Sequence, residues 1–213
     1  MNDKSPEKKD LVILVPDKDI ESGIKTLLDK RQKSLRTRNI KYKFLNDWQG
    51  DSHCYTDAHE TLRPFINKFS FAIVLFDKEG CGREDKTIFE IESDVMKSLN
   101  ACGWEGKSAV VVFEPEFESL VWSDSSNVDD ALGWHGKSPN LRDWMVQKGF
   151  LKTGEVKPKD PKSALIATLH EANKAWSSTI FVDLAESVGL NRCQDPNFAR
   201  LTQILQNWFP DTE

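Results

Sequence analysis

This sequence has few cysteines, no long apolar run and no excess of positive charge. The four cysteines, Cys54, Cys81, Cys102 and Cys193, form no C-x-x-C pair. That argues against a structural zinc site and suits reduced thiols in the cytosol. No apolar stretch approaches the ~20 residues needed to cross a bilayer, so no membrane role is expected. The leader 1–10 is polar, and Leu11–Val15 is too short for the apolar core of a secretory signal, which makes a cytoplasmic location the expectation. The net charge is -5, with 29 Lys+Arg against 34 Asp+Glu. A general nucleic-acid coat protein would need the opposite balance, because non-specific phosphate binding draws on excess Lys and Arg. The four histidines show no ligand spacing, Gly80 and Gly82 are not followed by a phosphate-loop lysine, and no internal repeat is evident.

What is present is a series of short, continuous apolar runs alternating with amphipathic helical patterns. Leu11–Val15, Phe71–Phe76 and Ala109–Phe113 are β-branched and aromatic runs ended by acids, prolines or glycines. Such runs read as strands buried on both faces, the form strands take in a parallel sheet. A shorter strand is expected at Ile40–Leu45, and a polar loop at Asp47–Thr56. Helical spacing follows at Ile20, Ile24, Leu27 and Leu28, and again at Ile88, Ile91, Val95 and Leu99 behind a Thr87/Glu90 capping box. A second box, Asp57/Glu60, is expected to open a helix carrying Leu62, Phe65 and Ile66, and Pro115 is expected to begin one carrying Leu120 to Trp122. Pro139, Pro161 and Pro196 mark further helix starts, with another helix at Ile180–Val188. The expected fold class is α/β: a Rossmann-like parallel sheet flanked by helices, with a helical C-terminal part. The expected divisions are a disordered leader at 1–10, an α/β domain at 11–125 and a helical region at 126–213 packed on it.

Acids gather where the three strong strands end: Asp17 and Glu21, then Asp77 and Glu79, then Glu116 and Glu118, with Asp124 beyond. Ligands bind at the carboxyl edge of open parallel sheets. Like charges brought together there are relieved by protonation or by a cation. The donors are all hard oxygens, which favours Mg2+ or Mn2+ over zinc. Asp77 and Glu79, two residues apart, would leave an extended backbone on one face and grip the ion, with Glu118 and Asp17 completing its shell. Glu116 is read as a helix cap. Cys81 reads as a small core filler, and Trp122, Trp134, Trp144, Trp176 and Trp208 as core-facing. The basic block Lys30, Arg31, Arg36 and Arg38 is either a solvated helix end or a phosphate-contacting surface.

The segments Val15–Glu21, Asp77–Gly80 and Pro115–Asp124 resemble the Toprim domain shared by type IA and II topoisomerases, bacterial primases and OLD-type nucleases. They look closer still to a small Toprim-like family of bacterial anti-phage loci that includes a component of methylation-associated defence systems; Leu190–Phe198 is similar to that family as well. The resemblance implies a metal-dependent nuclease acting on DNA or RNA phosphodiesters alongside other defence proteins. In it Asp17 takes the place of the general acid or base, and Asp77 and Glu79 that of the Asp-x-Asp metal pair; Glu21 and Glu118 are the extra ligand candidates, and Glu21 is an additional catalytic candidate. Asp17 is a methylene shorter than the family's glutamate and Glu79 a methylene longer than its aspartate. Those departures favour the alternative, a catalytically weak or inactive Toprim-shaped interaction subunit of a defence complex. A dehalogenase-like phosphatase with Asp77 as nucleophile fits less well, since that fold places its Asp-x-Asp after the first strand.

Overall fold

Residues 8–123, 125–190, 193 and 195–211 are described by the computed structural model. Asp124, Asn191, Arg192 and Gln194 lie outside the described residues, as does residues 1–7 of the expected disordered leader. Lys9 and Asp10, by contrast, are strand residues: β1 spans Lys9–Val15 and starts ahead of the expected Leu11. It is joined by β2 (Tyr42–Asn46), β3 (Phe69–Asp77) and β4 (Ser108–Phe113) in one sheet of order β2-β1-β3-β4, parallel throughout. The chain is thus an α/β protein with a Rossmann-like sheet.

Period-two alternation sends successive side chains to opposite faces, and both faces are covered. Leu11, Ile13, Val15, Ile73, Leu75, Val111 and Phe113 point into one core. That core takes in α1 (Lys18–Lys30), α2 (Gln32–Leu35) and the C-terminal helices α6 (Ser126–Ala131), α7 (Leu141–Lys148), α8 (Pro161–Glu171), α9 (Thr179–Ser187) and α10 (Pro196–Trp208). Val12, Leu14, Ala72, Val74, Phe76, Val110 and Val112 point the other way, against α3 (Asp51–Thr56), α4 (Ala58–Leu62) and α5 (Ile88–Leu99). Burial on both sides is why the strands carry no polar alternation.

Local signals account for most helix ends. Thr87 and Glu90 form the expected capping box of α5. Asp160 and Asp195 cap α8 and α10, with Pro161 and Pro196 as their first residues. Gly149 closes α7 in the left-handed region, φ 80°. Other expectations are overturned. The stretch 47–56 is not a loop throughout, because α3 begins at Asp51. Asp57 precedes α4 but makes no side-chain cap bond. Pro115 opens no α-helix: it follows a cis peptide and precedes a single 3-10 turn at Phe117–Leu120. Trp122, Trp134 and Trp144 are buried and Trp208, half-buried, stacks on Phe71, but Trp176 does not face the core as expected: it is 36% exposed and donates from Nε1 to Asp19.

The outer edge of β4 is covered by side chains. Glu92 of α5 accepts a hydrogen bond from the Val112 N–H at 3.0 Å. Arg200 of α10 donates both to Glu92 Oε2 and to the Val110 carbonyl. Two polar groups that an additional strand would have bonded are thereby satisfied, which blunts the edge against pairing with another chain.

Gly23, inside α1, leaves room for the Phe117 ring. A Cβ there would stand 2.9 Å from Cζ of Phe117. Alanine in a helix is worth about 0.5–1 kcal/mol over glycine, but overpacking a buried ring costs about 1–3 kcal/mol. The clash outweighs the propensity, so Gly23→Ala is expected to lower the denaturation midpoint, as read by urea unfolding.

Candidate metal centre

In a sheet ordered β2-β1-β3-β4 the chain leaves β1 toward one side and returns to the other, and the crevice between the carboxyl ends of β1 and β3 is the switch point where ligands bind. Asp77, the last residue of β3, stands at that point and is 6% exposed. Its backbone N–H donates to Asp51 Oδ1 at 2.8 Å, and its Oδ1 accepts from the Phe117 N–H at 2.8 Å. Those bonds tie the start of α3 and the turn after β4 to the end of β3.

The turn brings two further acids inward. Glu116 and Glu118 are buried, and with Asp77 they present carboxylate oxygens within 4.8 Å of one another. One hard cation at about 2.1–2.5 Å from each oxygen could touch all three. Glu118 Oε2 is buried without a hydrogen-bond partner. A buried lone acceptor costs about 1–3 kcal/mol unless something fills its place, so the donor set fits a hard metal ion on more than proximity.

The electrostatics agree. Burial, followed by the charges of Asp51, Glu118 and Asp17, pushes the Asp77 carboxyl well above the usual carboxylate range. Burial pushes Glu118 up to about 7 against the pull of Lys162, and raises Glu116 and Asp51 as well. The cation already present is an ammonium. Lys162 Nζ, reaching in from the first turn of α8, lies 3.3 Å from Glu116 and 3.3 Å from Glu118.

Of the acids singled out from sequence, Asp77 and Glu118 come together, and Glu116 joins them in place of a capping role: it precedes the 3-10 turn but makes no side-chain cap bond. Glu79 does not join. It is exposed, because β3 ends at Asp77 and the alternation that would have aligned the two stops there; the Glu79 N–H instead donates to the Pro115 carbonyl at 3.0 Å. Asp17 is exposed, its Oδ1 capping α1 through the N–H groups of Asp19 and Ile20 at 2.8 and 3.0 Å. It remains close enough to push on Asp77. Glu21 pairs with Lys18 at 2.5 Å and accepts from Asn46 at 2.8 Å.

The basic block sits at the far end of the sheet. Lys30 is the last residue of α1 and Arg31 its C-cap, about 20 Å of helix away from the end that starts beside the site. Arg38 pairs with Asp10 near the start of β1, at 2.8 and 3.0 Å. Arg31 donates to the carbonyls of Ala185, Glu186 and Val188, closing α9, and Lys30 pairs with Glu186. Arg36 is exposed beside them, in a left-handed turn with φ 56°.

Sequence reasoning missed Asp51 and Lys162. Asp51 carried one usable signal, an acid opening a helix just past β2. Lys162 carried none, since nothing in its own segment announces a partner on another loop. Comparison with protein-family models, with curated proteins and with solved structures returned no match.

Proposed function

We propose that the chain is a Mg2+- or Mn2+-dependent phosphodiesterase of Toprim type acting on DNA or RNA, with Asp77, Glu116 and Glu118 as the metal ligands. The buried, partnerless Glu118 Oε2 beside two more buried carboxylates is the observation that carries this reading. A bound divalent ion would polarise a phosphoryl oxygen and acidify a water. The chain's own residues supply the rest. The Phe117 N–H and Asp51 hold Asp77 in place from two sides. Asp17, solvent-facing at the mouth, is placed to accept a proton from water, with Glu21 one turn behind it. The nucleic-acid substrate, the anti-phage setting and the partner proteins rest on the resemblance of Val15–Glu21, Asp77–Gly80 and Pro115–Asp124 to Toprim-like defence proteins.

Titration calorimetry with Mn2+ tests the core of it. Wild type is expected to bind one ion, and Asp77→Asn to lose that binding at least tenfold; wild-type-like affinity in Asp77→Asn would sink the ligand assignment. Metal-dependent cleavage of plasmid DNA or tRNA that is lost in the same variant tests the chemistry.

A second reading, an interaction subunit without turnover, is favoured by Trp48 and Phe89, 87% and 78% exposed in the segments that follow β2 and β3. Large apolar side chains left this exposed suit contact with a protein partner. Metal binding without any cleavage would support that reading over the first.

A further inference from the structure

The acidic site carries its own counter-ion, and the way that ion is mounted has a consequence for metal loading. Lys162 is the second residue of α8, whose start is fixed by its backbone: Asp160 Oδ1 accepts from the Ser163 N–H at 2.9 Å, the Pro161 carbonyl accepts from Trp122 Nε1 at 3.1 Å, and the Lys162 N–H donates to Glu116 Oε1 at 3.2 Å. Only the side chain spans the remaining distance, placing Nζ 3.3 Å from both Glu116 Oε2 and Glu118 Oε1. The two glutamate side chains are 4% and 5% exposed, whereas that of Lys162 is 48% exposed. The ammonium therefore plugs the carboxylate pair from the solvent side, on a flexible stem that can swing out without moving α8.

An ammonium and a divalent ion compete for the same oxygens. At van der Waals range a dication and an ammonium repel strongly under the weak screening of a buried site, so both cannot sit on Glu116 and Glu118 at once. We propose that Lys162 is a tethered competitor for the metal, holding the carboxylates when the site is empty and leaving them for solvent when a divalent ion binds. This rests on the assignment of Asp77, Glu116 and Glu118 as metal ligands. It also explains how several buried acids coexist in a folded chain before metal arrives. Release would leave a free ammonium at the mouth of the site, on the edge that the block Lys30–Arg38 does not reach.

The test is Mn2+ titration of wild type and Lys162→Met, which keeps the apolar stem and removes the charge. The variant is expected to bind Mn2+ about tenfold tighter, a difference of about 1.4 kcal/mol in binding free energy, and to melt at a lower temperature than wild type when metal-free. Equal affinity overturns the competition and leaves the metal site standing. Absence of binding in both proteins, each folded by circular dichroism, overturns the site itself and the competition with it. Should Lys162→Met not fold, amine acetylation of wild type followed by peptide mass spectrometry gives an independent reading. Mn2+ is expected to speed labelling of Lys162 severalfold and to leave unchanged that of Lys97, whose side chain is 74% exposed in the last turn of α5; unaltered labelling of Lys162 in protein that has bound Mn2+ overturns the proposal.

Discussion

Arg200→Met is expected to lower the stability of the protein by about 1–3 kcal/mol, the cost of leaving a buried group without its partner, because the guanidinium itself is 42% exposed and only the carboxylate side of the pair is buried. Arg200 holds Glu92, a carboxylate only 6% exposed, and the Val110 carbonyl at the open side of β4. Burial already raises the Glu92 carboxyl despite the guanidinium. Without Arg200 the group must stay ionised and unpaired, or take up a proton. The double variant Glu92→Leu with Arg200→Met removes both charges and is expected to recover much of the loss, because no buried carboxylate is then left without a partner. The recovery is partial, since the Val112 N–H loses its acceptor. Urea unfolding of the three proteins checks it. A single variant within 1 kcal/mol of wild type would show that the pair contributes nothing to holding α10 on the sheet.

The second large effect is on pH. Glu118 has its folded-state carboxyl raised from 4.5 to about 7 by burial. A carboxyl raised on folding favours the folded state while protonated, so its contribution is full below its unfolded value and disappears as pH climbs through the folded one. For Glu118 that window runs from 4.5 to about 7, and the shift corresponds to about 3 kcal/mol. Asp77, Glu116 and Asp51 are shifted in the same direction. Metal-free protein in EDTA is therefore expected to be less stable at pH 8 than at pH 5, the reverse of an ordinary acid-sensitive protein. Glu118→Gln should flatten the profile, and saturating Mn2+ should restore stability at pH 8. Thermal melts across that range decide it; a metal-free protein that gains stability from pH 5 to 8 contradicts the shared origin of these shifts.

The strands were legible because each of the three strong ones is sealed on both faces, leaving a continuous apolar run. Even the weaker β2 was legible within two residues of its ends. Asp77 and Glu118 were legible as acids just past such runs. Glu79 was misplaced because alternation is a property of a strand, and β3 stops at Asp77. Glu116 was misassigned because an acid beside a proline reads as a cap, yet the turn that follows is 3-10 and its carboxylate faces inward. Asp51 and Lys162 depend on contacts between segments far apart in the chain, Asp51 to Asp77 and Lys162 to Glu116 and Glu118, and no local pattern encodes those.

The clasp on β4 also sets an order of events during synthesis. The strand is complete at Phe113, and Glu92 is already made, but Arg200 lies in the last helix. At about 5–20 residues per second on the ribosome, the guanidinium follows β4 by on the order of ten seconds. For that interval the Val110 carbonyl has no arginine, and the nascent sheet has an edge open to strands of neighbouring chains. A truncation before α10 would make that exposure permanent. Such chains, emerging side by side on a polysome, would be open to edge-to-edge pairing with one another.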